Sequence, residues 1–408
     1  MQIKLSAKLT RIPEYLREGN EIIMKKALSV FMTAVLAAGC LAGCGASGGS
    51  AEADTFRIGG IGPTTGGAAI YGTSVMNGAQ IAVDEINEAG GINGYQISYK
   101  FEDDQHDAEK SVNAYNSLKD WGMQILMGTT TTTPCVAVVQ KTMEDGMFQV
   151  TPSASSTEVI DNENVFQVCF SDPNQGTASA QYISEQGLAS KVAVIYDSSD
   201  VYSSGIYTNF EAKAKELGLE VVAAEAFTQD SKTDFSTQLQ KAQSEGAELI
   251  FLPIYYQEAS VILTQADSMG YDVKFFGCDG LDGLLGVKNF NTDLAEGVML
   301  LTPFSADADD AATVAFVEKY EKAYGSTPNQ FAADGYDAIY TIKAAIEEAG
   351  VTPDMSVSEL GSALSGAMPS IQIQGLTGGS EGLTWEASGE VNKAPKAVVI
   401  QGGAYVGM

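Results

Sequence analysis

Past residue 43 the chain contains a single arginine, Arg57, and over its whole length a single histidine, His106. An anionic ligand must therefore be held mostly by hydroxyls, amides and helix ends, without a bidentate guanidinium fork. The one histidine stands in the polar run Asp103–Asp107 and reads as a solvated loop residue. No GxSxG elbow between a strand and a helix, HExxH or CxxC motif appears, so no catalytic apparatus is visible and neither an enzymatic activity nor a cofactor is expected. Besides Cys40 and Cys44, the cysteines Cys135, Cys169 and Cys278 are odd in number and have no paired spacing. A disulfide framework and a metal site both drop out, leaving room for one stray bridge. Positive charge is scarce as well: beyond residue 43, 17 Lys+Arg stand against 49 Asp+Glu, a net of −32. Such a surface repels nucleic acid and anionic headgroups, and no nucleic-acid partner is expected.

What is present begins at Met24-Lys25-Lys26, which precedes an apolar run from Ala27 to Ala38 and then Leu41-Ala42-Gly43-Cys44. A basic n-region, a short apolar h-region and small residues before a cysteine form the pattern of a bacterial lipoprotein signal over 24–43. Cys44 is then the diacylated first mature residue, and Ala37-Ala38-Gly39-Cys40 is a weaker second candidate. The run falls short of the roughly 20 apolar residues that span a bilayer. Residues 1–23 show no apolar periodicity and read as a start codon placed too early. Residues 44–54, rich in Gly, Ser and Ala, suit a tether between lipid and folded body. The expected location is extracytoplasmic, held to the bacterial cell membrane through Cys44.

From Thr55 onward, short β-rich runs alternate with amphipathic stretches. Arg57–Ile61 reads as a strand. Val75, Ala79, Ala82, Val83 and Ile86 fall at helical spacing from Ser74 to Ala89, and Gly90-Gly91 ends that helix. Ile97, Tyr99 and Phe101 alternate as a strand. A helix over 107–121, a strand over 124–127, a helix from Pro134 and a strand over 147–150 complete a βαβ ladder. The same alternation restarts after Asp172-Pro173: helix to Gln186, strand 191–196, helix 205–217, strand 219–223, helix 234–244, strand 249–252, helix 257–269, strand 273–276. Helices near 309–324 and 332–349, a Gly-rich segment over 375–390 and a strand over 397–401 close the chain. Two successive ladders predict an α/β fold of two lobes, each a mostly parallel sheet flanked by helices.

Ligands of open parallel sheets bind beyond the carboxyl ends of the strands. Gly128 leads there into five threonines ending in Thr133-Pro134, an N-cap followed by proline at the first helical position. After the strand ending at Val150, Thr151-Pro152-Ser153-Ala154-Ser155-Ser156-Thr157-Glu158 places Ser155 and Glu158 at capping-box spacing. Two hydroxyl-rich helix N-termini side by side would make a carboxylate site without arginine. They are equally well read as two capped helices and a low-complexity threonine run. Gly60-Ile61-Gly62-Pro63-Thr64-Thr65-Gly66 approaches a dinucleotide loop, but its third glycine comes one position late and a proline interrupts the turn.

Several segments together resemble the leucine/isoleucine/valine-binding proteins of ABC transporters, which have the type I periplasmic-binding fold. They are Ile70-Tyr71-Gly72, Asn77-Gly78-Ala79, Ile86–Ile92, Thr151–Ser155, Asp172–Gly176, Tyr255–Glu258 and Ala295-Glu296-Gly297. The likeness runs from about Phe56 to Ala397. It implies that Thr132, Ser153 and Ser155 hold a ligand α-carboxylate, that Asp279 meets the α-ammonium group, and that Tyr71, Tyr202 and Tyr255 line the cleft. Tyr256, beside Tyr255, could take the latter's role. Asp279 stands where the family has a longer glutamate, and Thr131 takes one position of a disulfide found in some members.

The resemblance further implies a three-crossing hinge, with 55–171 plus 303–378 in lobe 1 and 172–302 plus 379–408 in lobe 2. It makes the chain the solute-binding partner of an ABC transporter permease, with a small neutral amino acid, a branched-chain one foremost, as ligand. An extracellular amino-acid sensor of the same fold is the alternative; a receptor of that kind would carry a membrane helix or signalling domain downstream, and the chain ends at Met408 without one.

Overall fold

A computed structural model describes residues 55–408; the signal region, Cys44 and the tether lie outside the described residues. Strands β1 (Thr55–Gly62), β2 (Gln96–Asp103), β3 (Ile125–Gly128), β4 (Phe148–Thr151) and β5 (Val165–Gln167) form one sheet. Its order is β2-β1-β3-β4-β5 and every pairing is parallel. The connections carry helices α1 (Ala69–Glu88), α2 (Ala108–Trp121) and α3 (Thr132–Asp145). Every residue of β3 and β4 is buried, as expected of strands covered on both faces by helices.

The second ladder runs α4 (Asp172–Glu185), β6 (Lys191–Asp197), α5 (Val201–Leu217), β7 (Glu220–Phe227), α6 (Ser236–Ser244) and β8 (Leu249–Leu252). It continues with α7 (Tyr256–Ser268), β9 (Lys274–Gly277) and β10 (Met299–Thr302). The chain then forms α8 (Ala311–Tyr324), α9 (Gln330–Ala349) and α10 (Val357–Ala367), a small antiparallel ribbon of β11 (Gln372–Ile373) and β12 (Leu383–Thr384), and finally β13 (Lys396–Gln401) and β14 (Ala404–Gly407). The seven-stranded second sheet has the order β14-β13-β10-β9-β8-β6-β7, with β13 and β14 antiparallel at one edge.

Helix α9 does not join the sheet that precedes it in sequence; it packs on α1 of the first. Two glycines permit this close crossing: a Cβ on Gly78 would collide with the carbonyl of Ala332, and one on Gly335 with the carbonyl of Val75. The chain thus passes between the two halves after β5, after β10 and between β12 and β13. At the last passage Lys393 reaches Asp334 of α9 at 3.0 Å, both side chains fully buried.

Helix ends follow local chemistry where the sequence offers it. Asp107 accepts the Lys110 amide to start α2, and Gly122, at φ 91°, ends it in the left-handed conformation. Helix α1 begins at Ala69, ahead of the expected Ser74, because its N-cap is Ala68 and makes no side-chain cap. The expected Ser155–Glu158 capping box is not formed; Ser156 caps the short turn Thr157–Ile160 by accepting the Glu158 amide. Helix α3 starts at Thr132, which puts Pro134 in the middle of its first turn. Strands β5, β10 and β14 and helix α10 were not anticipated, the strands being too short to show a period. No helix among the described residues is long and apolar enough to cross a membrane.

Candidate functional site

The carboxyl ends of β3, β4, β6, β8 and β9 lead directly into Thr132, Ser153 and Ser155, Tyr202, Tyr255 and Asp279. Tyr71 is the third residue of α1, in the helix that follows β1. The expected residues therefore all lie where strand ends of the two sheets face each other, and contacts between the halves pass through them. Tyr71 donates its hydroxyl to the Gly280 carbonyl at 2.6 Å and accepts the Tyr256 amide at 3.2 Å. Tyr256 in turn accepts the Ile70 amide at 3.1 Å. Thr133 donates to Asp200 at 2.9 Å.

On the first-sheet side the hydroxyls organise the two loops against each other. The Ser155 amide donates to Thr132 Oγ1 at 3.2 Å, and Thr151 Oγ1 donates to the Thr129 carbonyl at 2.8 Å. Ser153 Oγ donates to the Thr130 carbonyl at 2.5 Å. Ser155 Oγ is buried beside the Asp172 carboxylate. The N-terminus of α3, which starts at Thr132, adds the positive end of a helix dipole and its first-turn amides. This wall of hydroxyls and amides is suited to a carboxylate.

The opposite wall is acidic and aromatic. Tyr202 stacks on Tyr255 with centroids 4.9 Å apart, and Tyr71 meets Tyr255 edge-on at 5.4 Å. Tyr202 donates its hydroxyl to Asp279 Oδ1 at 2.6 Å, and the Gln175 side chain accepts the Asp279 amide at 3.3 Å. Burial pushes Asp279 up to about 6, against the pull of the Tyr202 hydroxyl, the Gly280 amide and the Gln330 and Gln175 side chains. Asp200 is also raised to about 6, by burial before any other cause. Asp172, buried at the start of α4, is held well above the usual carboxylate range by burial and by its acidic neighbours, with the Ser155 hydroxyl beside it pulling the other way. A cluster of desolvated acids with no neutralising group is arranged to receive a cation.

His106 corrects the sequence reading. It is a half-buried turn residue and not a freely solvated one: its Nδ1 lies 2.9 Å from Thr131 Oγ1, and its ring stands edge-on to Tyr255 at 5.4 Å, bridging the halves. Burial lowers it to about 4, which keeps the ring neutral. Its position just past the carboxyl end of β2 was the available signal. Asp172, Asp200 and Thr133 were likewise missed. Cys135, Cys169 and Cys278 are free and buried, with their thiols pushed up by desolvation. In the glycine-rich segment that begins in β1, Gly62 makes room for the Thr130 side chain.

Residues 55–387 match the periplasmic binding protein family. The chain belongs to that family. It is 32% identical over 311 residues, 75% of this chain and 82% of the relative, to the Leu/Ile/Val-binding protein homolog 3 of Brucella melitensis. The leucine-binding protein LivK of Thermotoga maritima superposes with a TM-score of 0.78 at 26% identity, covering 87% of this chain and 98% of that one. The branched-chain amino acid transporter substrate-binding protein LivJ of Streptococcus pneumoniae, solved with isoleucine, gives 0.78 at 28% identity, covering 86% and 97%. The architecture is the type I periplasmic-binding fold.

Proposed function

We propose that this chain is the extracytoplasmic solute-binding component of an ABC importer, closing its two halves on a small neutral amino acid, with branched-chain side chains preferred, and delivering it to the permease. One observation carries the reading: a hydroxyl-and-amide wall at Thr132, Ser153 and Ser155 faces a wall of unneutralised buried acids around Asp279, with Tyr71, Tyr202 and Tyr255 between them. That polarity is complementary to the zwitterionic head of an α-amino acid. In this reading Thr132, Ser153 and Ser155 take the carboxylate, Asp279 the ammonium group, and the tyrosines the α-carbon and the start of the side chain. The absence of any arginine past Arg57 leaves a second carboxylate on the ligand without a fork to hold it. The names of the Brucella, Thermotoga and Streptococcus relatives support the branched-chain preference.

The lobes in this reading are 55–171 with 303–378 and 172–302 with 379–408, joined at three crossings, and Cys44 holds the protein to the membrane. Calorimetric titration of the ligand-stripped protein against the twenty amino acids tests the ligand class. Isoleucine, leucine or valine should bind tightest with 1:1 stoichiometry; binding restricted to acidic or basic amino acids, or to none, would overturn it. Cys44→Ser should release the protein from the membrane fraction, and a variant that stays there would place the anchor elsewhere.

A further inference from the structure

Asp279 draws its hydrogen-bond donors from two directions. Three come with the second sheet: the Tyr202 hydroxyl of α5, on Oδ1 at 2.6 Å, the Gly280 amide of the same loop, and the Gln175 side chain of α4. The fourth is Gln330, the first residue of α9, the helix that packs on α1 of the first half. Only 1% of this glutamine is exposed, and Asn329 before it already caps the helix by accepting the Ala332 amide at 3.2 Å. Capping therefore does not account for the Gln330 side chain.

Its contacts fix which way the amide points. Gln330 Oε1 accepts the Thr302 hydroxyl at 2.7 Å, at the end of β10, and the Gln330 backbone amide donates to Asp282 Oδ2 at 2.8 Å. With the oxygen on Thr302, Nε2 is left for Asp279; the reverse orientation would set a carbonyl oxygen against a carboxylate. Nε2 is buried and makes no hydrogen bond of ordinary geometry, yet it stands close enough to hold the Asp279 carboxyl down. Gln175 repeats the arrangement from α4: its Oε1 accepts the Asp279 amide at 3.3 Å, and its Nε2 is buried without such a bond. A buried N–H left unmade is costly, and a carboxyl group accepts more donors ionised than protonated. The two amides are thus donors in reserve, taken up when Asp279 loses its proton.

The other groups that face Asp279 do not supply this help. Asp172 at the start of α4, Asp282 in the same loop and Asp334 of α9 are acids, and Lys393 is already engaged by Asp334. Burial pushes up Tyr71 of α1, Tyr202 of α5 and Tyr255 ahead of α7, and likewise Cys169 and Cys278, so phenols and thiols stay neutral across the physiological range.

We propose that Gln330 is a positioning residue of the amino-acid site: anchored through Oε1 on Thr302, it presents its NH2 group to Asp279 from the α9 side and holds that carboxylate as an anion aimed at the ligand ammonium group. The inference rests on the assignment of Asp279 to the ammonium group. Gln330 acts through Asp279 and not on the ligand.

Gln330→Met keeps the length of the side chain and the backbone N–H on Asp282, removes the side-chain amide, and leaves the Thr302 hydroxyl the Phe304 carbonyl, 3.2 Å away, as acceptor. The test is calorimetric titration of the purified, ligand-stripped wild type and this variant with isoleucine from pH 4.5 to 8.5. The inflection in affinity, expected at about 6 in the wild type, should move up by about one pH unit in Gln330→Met. The ratio of wild-type to variant affinity should then be about tenfold larger at pH 5 than at pH 8.5. A substitution that only disturbed packing would weaken binding by the same factor at every pH. An inflection that Gln330→Met leaves in place, or a loss of affinity independent of pH, would overturn the proposal while the amino-acid reading stands. A wild type that binds no isoleucine, or binds it without an inflection, would overturn the role of Asp279 and this inference with it. If Gln330→Met does not fold, as judged by its circular dichroism melt, Thr302→Val decides the matter: with the amide no longer anchored, the inflection should move in the same direction, and an unmoved inflection would overturn the proposal.

Discussion

Asp279 is buried, oriented by the Tyr202 hydroxyl and the Gln175 side chain, and lies near Asp172 without a neutralising group. Truncating one member of a buried charge pair costs about 2–5 kcal/mol, on the order of 30-fold to several thousand-fold in affinity. Asp279→Ala should lose amino-acid affinity on that scale while keeping a near-native circular dichroism melt; near-native affinity would place the ammonium partner elsewhere. The acid-to-neutral balance of the same group fixes a pH dependence. An ammonium ligand pairs with the charged carboxylate, and in the ligand-free protein Asp279 holds its proton up to about 6. Binding must therefore expel a proton below that value, so affinity should be flat above pH 7 and fall about tenfold per unit below pH 6. Titrations from pH 4.5 to 8 measure this, and Asp279→Asn should flatten the profile; a wild-type profile that is already flat would contradict it. At this scale the threonine run after Gly128 and the Ser153–Ser155 loop could be placed beyond strand ends from the residues themselves, whereas Thr132 and Asp279 were singled out only by the family resemblance. His106 was not, because its neighbours Asp103, Asp104 and Asp107 look solvated and what covers its ring is Tyr255, from the other half of the molecule.

Among the elements, the α1–α9 crossing carries both Tyr71 and Phe331, whose rings pack at 4.3 Å on the cleft's flank. Its closeness depends on Gly78 and Gly335. In an exposed helix, Gly→Ala would stabilise by about 0.5–1 kcal/mol. At position 335 the added methyl must push α1 away, and overpacking of this kind costs about 1–3 kcal/mol. Gly335→Ala should lower the urea midpoint, while Gly366→Ala, in α10 with open space around its Cβ, should leave it unchanged or raise it. Equal behaviour of the two would show that the crossing is not tightly packed. Most of the βαβ ladder could be read from pattern because strands such as β8 are short apolar runs, β2 alternates, and helices such as α1 show an apolar face. The α1 start, β10 and β14 could not, since the first lacks a capping side chain and the strands are held by neighbours remote in sequence, β10 by β9 and β13.

For the whole molecule, the two halves meet through hydrogen bonds that include Tyr71 to Gly280, Tyr256 to Tyr71, Ile70 to Tyr256 and Thr133 to Asp200, and through the tyrosine and histidine rings. The same interface holds desolvated acids at Asp172, Asp200 and Asp279, which oppose closure until a cation arrives. A ligand that touches both walls therefore shifts the population toward the closed arrangement by its differential affinity for it. Closure on an amino acid is the central claim, and small-angle X-ray scattering of the ligand-stripped protein, before and after saturation with its tightest-binding amino acid, tests it most directly. The radius of gyration should fall on saturation, and should fail to do so at the same concentration in Asp279→Ala; an identical radius with and without bound ligand would contradict the account.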